Sequence, residues 1–193
     1  LGGVRNWDYR YCWLRDSALL LDALMAAGYV GAAASWRDWL LRAVAGDPDD
    51  LQIMYGLGGE RRLDEYELDW LQGYENSRPV RVGNAASGQR QLDVYGEVMD
   101  AMFRARKLGM PPAAHAWDVE RQIIEWLESH WQEPDDGLWE VRGPRRNFVH
   151  SKVMAWVAID RAIGSVEAAG FDAPLERFKR MRTEIHDEVC RKG

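Results

Sequence analysis

Cysteine is almost absent from these 193 residues, with Cys12 and Cys190 the only two. Thiols so far apart make no disulfide framework, and His115, His130, His150 and His186 complete no metal-ligand set with either. Both cysteines therefore read as reduced, as in a cytoplasmic protein, and no metal site is expected. Basic residues are also in deficit: 25 Lys and Arg against 31 Asp and Glu leave a formal net charge of −6, which speaks against the basic face that nucleic acid requires. No apolar run is long enough to cross a bilayer, so no membrane partner is expected, and Leu1 to Arg5 lacks the layout of a signal peptide. The first residue is not Met and a motif follows at once, from which we expect the natural N-terminus to lie upstream. The acidic turns Asp47-Pro48-Asp49-Asp50 and Glu133-Pro134-Asp135-Asp136-Gly137 lack the ligand alternation of a calcium loop and read as turns and caps.

Tryptophan, by contrast, is plentiful: there are ten, in a chain that is 47% hydrophobic, more than enough for the core of one domain. The densest stretch runs from Asn6 to Ser17 and holds Trp7, Asp8, Tyr9, Arg10, Tyr11, Trp13, Arg15 and Asp16, directly ahead of an apolar helix. Aromatic rings offer rigid flat faces, and Arg and Asp offer directional hydrogen bonds. Together they suit a pyranose, with its apolar faces and its rim of hydroxyls. On composition alone, a loop that buries its rings while Arg15 and Asp16 pair or cap the helix is an equally open reading.

Along the chain, helices that are apolar nearly all round alternate with amphipathic ones. Asp16 to Tyr29 reads as an inner helix broken by Gly28 and Gly31, and Ser35 as the cap of an outer helix striped with Trp36, Trp39, Leu40, Ala43 and Val44. Gln91 to Leu108 is followed, after Gly109-Met110-Pro111-Pro112, by a charged helix carrying Val119, Ile123, Trp126 and Leu127. Phe148 to Ile163 is followed by a helix opened by Pro174. Three inner-outer pairs predict an all-α fold of αα-hairpins, either a toroid, a bundle or a solenoid. The connection from Asp47 to Gly88 is too long for a simple link. Leu51 to Glu60 alternates around glycines like a small hairpin, and Trp70 to Ala86 shows no period.

Four segments, Trp7 to Ser17, Trp70 to Glu97, Asp136-Gly137-Leu138-Trp139-Glu140 and Phe148 to Trp156, resemble in order the conserved stretches of glycoside hydrolase family 15. That family comprises the glucoamylases, glucodextranases and bacterial trehalases. The resemblance implies an (α/α)6 barrel of which three hairpins are about half, with residues 1–193 a partial catalytic domain truncated at both ends and an apolar flank left open. It implies inverting, exo-acting hydrolysis of α,α-trehalose or short α-glucans without a cofactor. Glu140 would be the general acid, and Tyr9, Trp13, Arg15, Asp16, Arg78, Trp139 and Lys152 would bind substrate. Trp139 beside the acid would shield it from water, and Lys152 would reach the cleft from the start of an inner helix. The general base comes from a late loop beyond residue 193, so neither Glu75 nor Glu97 is assigned that role, and the piece alone should be inactive. Fungal members carry a second Glu after the acid where this chain has Val141, which fits the bacterial subtype better. The alternative is a noncatalytic α/α-toroid protein that binds carbohydrate or a partner.

Overall fold

The computed structural model describes residues 2–44, 48–110 and 115–193; Asp47, Pro111 and Pro112 lie outside the described residues. Six α-helices account for most of them: α1 (Leu14–Ala26), α2 (Val30–Ala43), α3 (Asp93–Lys107), α4 (Ala116–His130), α5 (Val149–Ala169) and α6 (Leu175–Lys192). The helices α1, α3 and α5 pack side by side with α3 in the middle, while α2 lies against α1, α4 against α5, and α6 along α5. This is the expected alternation of inner and outer helices in αα-hairpins. Leu14, Leu92, Met99, Ile124, Leu127, Ile159 and Ile185 lie fully buried where the two layers meet.

α3 and α5 approach each other closely. A Cβ on Gly96 would stand 2.3 Å from the carbonyl oxygen of Met154, so only glycine permits these two backbones to touch. Among the described residues no helix is long and apolar enough to cross a membrane.

Three local expectations are corrected. α1 is not covered all round: Leu14, Ala18, Leu21 and Met25 face inward at helical spacing, whereas Leu19 and Leu20 are each 61% exposed. With Val149 and Val153 of α5, they leave apolar surface on the inner helices without a partner among the described residues. Ser35 is not a cap but lies inside α2, its hydroxyl donating to the Gly31 carbonyl at 3.2 Å, because Gly28 at φ +89° alone makes the break.

The third correction concerns Leu51 to Glu60, which closes a tight turn, the Gly56 amide donating to the Glu60 carbonyl at 2.9 Å, but forms no two-stranded hairpin of its own among the described residues. Strand β2 (Met54–Tyr55) pairs antiparallel with β1 (Cys12–Trp13), Cys12 opposite Tyr55 and Trp13 opposite Met54. Further on, β3 (Tyr66–Glu67) pairs with β4 (Arg81–Val82).

The N-terminal loop is tied to the long connection by Asp8, which is 6% exposed. Its carboxylate accepts bonds from Arg10 Nε and Nη2, both at 2.8 Å, from the Tyr11 hydroxyl at 2.9 Å and from the Gly83 amide at 3.2 Å. The Arg10 hydrogen bonds outweigh burial and hold the Asp8 carboxyl down at about 2, against an ordinary 3.8. A carboxylate held below its unfolded value contributes stability above about pH 4, and this is lost as the pH falls through about 2. We expect Asp8→Asn to cost about 2 kcal/mol at pH 7. Urea unfolding as a function of pH should show the difference between variant and wild type closing toward pH 2.

Candidate active site

The N-terminal segment and the connections from α2 to α3 and from α4 to α5 lead into the N-terminal ends of α1, α3 and α5, and a cleft of about 730 Å3 opens there. One wall is the N-terminal segment: Tyr9, then Trp13 at the end of β1, then Arg15 and Asp16 in the first turn of α1. The opposite wall is Leu138-Trp139-Glu140, in the loop between α4 and α5.

This loop is fastened before it reaches the cleft. Asp135 exchanges backbone hydrogen bonds with Arg146, both at 2.9 Å, and its buried carboxylate accepts the Leu92 amide at 2.9 Å. Asp136 accepts the Arg90 amide at 2.7 Å and returns its own amide to the Arg90 carbonyl at 2.8 Å. Gly137 turns at φ +69° with the Phe148 ring where a side chain would begin, 2.7 Å from an ideal Cβ. Glu140 itself sits at φ +54°, a left-handed conformation sparsely occupied by residues with a Cβ. Beyond it, Arg142 stacks on the Trp7 ring at 4.3 Å and pairs with Glu65 at 3.0 Å.

The Glu140 side chain is 22% exposed. Its Oε1 accepts a hydrogen bond from Trp13 Nε1 at 2.7 Å and lies 3.8 Å from Arg15 Nη2. That same nitrogen is 3.9 Å from Asp16, whose side chain is 71% exposed to the cleft side. The other end of the guanidinium is anchored on α3, with Nη1 donating to Gln91 Oε1 at 3.0 Å and to Asp93 Oδ2 at 3.1 Å. One helical turn further along α3, burial and the like charges of Asp93 and Asp100 push the Glu97 carboxyl up to about 7, with Arg15 opposing.

Of the residues named from the sequence, Tyr9, Trp13, Arg15, Asp16, Trp139 and Glu140 share this cleft. Two do not. Lys152, in the first turn of α5, is buried and donates through Nζ to the carbonyls of Trp131 and Glu133, each at 2.7 Å. Those carbonyls follow the C-terminus of α4, where unsatisfied oxygens draw a cation inward and away from the cleft. Burial pushes the Lys152 amine down. Arg78 is exposed and donates to the Asp69 carbonyl at 3.4 Å; its neighbour Arg81, on β4, is the one that turns inward, onto Trp7 at 4.5 Å.

The shielding expected of Trp139 is also corrected. Its ring is 82% exposed, and the indole in contact with the acid is that of Trp13. Sequence reasoning did not single out Gln91 and Asp93 as site residues. The available signal was an acid in the first turn of a helix that otherwise reads as inner, since a buried carboxylate needs a cation.

Fold and cleft define the class: inner and outer helices in pairs, with an aromatic-lined, carboxyl-centred cleft at the N-terminal ends of the inner ones. Residues 3–193 match glycosyl hydrolases family 15, and the chain belongs to that family. It is 41% identical to a trehalase of Mycolicibacterium smegmatis, over 99% of this chain and 29% of that protein. It is 36% identical to a trehalase of Thermoplasma volcanium, over 100% of this chain and 31% of that protein. To trehalase 1 of Sulfolobus acidocaldarius it is 42% identical, over 83% of this chain and 29% of that protein. The chain thus spans about three tenths of the length of these relatives. No solved structure matches it.

Since Gly137 has both a positive φ and an aromatic ring in place of a Cβ, Gly137→Ala should destabilise the fold by about 1–3 kcal/mol. Thermal unfolding would show this as a lowered Tm, and limited proteolysis as faster cleavage between residues 136 and 146.

Proposed function

We propose that the protein to which this chain belongs is an inverting glycoside hydrolase acting on α,α-trehalose, with Glu140 as its general acid. The observation that carries the reading is the Glu140 carboxyl set in the cleft, with Trp13 bonded to one of its oxygens and Arg15 and Asp16 alongside. The Trp13 hydrogen bond and the nearest approach of Arg15 both fall on Oε1, which leaves Oε2 as the oxygen to carry a transferable proton. The names of the relatives favour trehalose over the short α-glucans that the family also takes.

In this reading the terminal glucose enters the cleft with its hydroxyls on Asp16 and Arg15 and its apolar face toward the rings of Tyr9 and Trp13. Glu140 protonates the bridging oxygen as the bond to the anomeric carbon breaks. A carboxylate activates water on the opposite face, at the roughly 6.5–9.5 Å separation that inversion requires. We assign that base to a part of the protein outside this chain, so the chain by itself would be inactive.

Glu140→Gln in the intact enzyme should lower kcat by at least about 10²-fold with KM within a few fold, because proton donation belongs to the transition state. Near-normal turnover of trehalose by that variant would remove Glu140 from the mechanism. Asp16→Ala should lower kcat/KM by a comparable factor, but with weaker binding of glucose itself, since hydroxyl contacts exist in ground and transition states alike.

Proton NMR in the first minutes of hydrolysis tests the stereochemistry. Inversion of trehalose gives α- and β-glucose in equal amounts, the leaving unit keeping its α configuration, whereas retention gives the α anomer alone. Parallel runs on maltose and isomaltose test the substrate, and activity confined to isomaltose would overturn the assignment of trehalose.

A further inference from the structure

The buried acid at the start of α3 has no evident place in the packing. Asp93 is fully buried in an inner helix that is otherwise lined with Val94, Tyr95, Val98, Met99 and Met102. It does not cap its own helix, and its Oδ1 has no hydrogen-bond partner among the described residues. Among the described residues its close side-chain partner is Arg15, through Oδ2 at 3.1 Å.

Arg15 divides its two terminal nitrogens. Nη1 is hydrogen-bonded on the α3 side to Gln91 and Asp93, whereas Nη2 stands 3.8 Å from Glu140 and 3.9 Å from Asp16, too far for hydrogen bonds and close enough for charge. A cation bonded directly to a carboxyl favours its ionised form, which has no proton to give to a leaving oxygen. Here the cation is held one step back from the acid, its charge offset by a buried carboxylate. The same short segment also holds the backbone beside the acid: Gln91 Nε2 donates to Gln89 Oε1 at 3.1 Å, and Gln89 Nε2 donates to the Val141 carbonyl at 3.3 Å.

We infer that Asp93, with Gln91, is a positioning residue for the general acid, setting where the Arg15 charge stands relative to Glu140 without itself touching substrate. The inference rests on Glu140 being that acid. The ionisable groups facing Arg15 are Asp16 on its own helix, Asp93 and Glu97 on α3, and Glu140 on the loop before α5.

The test is the pH profile of kcat/KM on trehalose, whose high-pH limb reports the acid, measured for the intact enzyme with two near-isosteric variants. Asp93→Asn removes the offsetting charge and should move the high-pH limb down by about one pH unit, while Gln91→Glu adds charge at the same anchor and should move it up. A purely structural role would not give shifts of opposite sign. Limbs that stay at the wild-type position in both variants, or that move in the same direction, overturn the inference. Should Asp93→Asn fail to fold, Gln91→Glu decides alone: an upward shift supports the inference and an unmoved limb overturns it. Glu140→Gln run alongside separates the two levels. If it turns over normally, the acid assignment falls and this inference with it; if it is inactive while the limbs stay put, only this inference falls.

Discussion

Backbone amides captured by buried carboxylates hold this site together. Asp135 takes the amide of Leu92, Asp136 that of Arg90, and Asp8 that of Gly83. Each of these acids belongs to one loop and each amide to another, so the three irregular connections at the mouth of the helices are joined to one another as well as to the helices. Asp8 and Asp136 can take this role because further donors, from Arg10 and Tyr11 and from Arg145, replace the water these carboxylates give up. These junctions act with the β1–β2 pairing and the Arg142–Glu65 ion pair, which also join the loops, in holding the 2.7 Å contact between Trp13 and Glu140.

That contact spans the chain from its first strand to the loop before α5. It is completed by two rings with different duties. Trp13 is buried and offers its N–H to the acid, whereas Trp7 is clasped between the guanidinium groups of Arg81 and Arg142, at 4.5 and 4.3 Å, and anchors the far end of the acid loop. Stacked guanidinium groups of this kind add modest energy each, yet they fix direction well, because the planar group can lie only flat on the ring.

The helical architecture was legible because inner and outer helices differ in composition. A helix buried on several sides must be apolar on several sides, and that contrast survives without any alignment. What stayed hidden depends on partners distant in sequence. The pairing of Met54 with Trp13 involves strands of two residues each, too short to carry a period. Whether Arg78 or Arg81 turns inward is decided by a pairing distant in sequence: Arg81 stands on β4 opposite Glu67, whereas Arg78 precedes the strand. The direction of Lys152 is set by carbonyls at the end of a different helix, and the exposure of Trp139 by a left-handed turn at the residue after it. None of these leaves a local trace in the amino-acid order.

The contact of Gly96 with the Met154 carbonyl acts as a ruler for the cleft. Asp93, three residues before Gly96, anchors Arg15, while the loop that delivers Glu140 enters α5 just ahead of Met154. Any side chain at position 96 would meet the Met154 backbone and push α3 from α5, and with α3 the anchor of Arg15. A missing methyl group in the interior thus sets the spacing of the two helices whose N-terminal ends carry the anchor of Arg15 and the end of the acid loop.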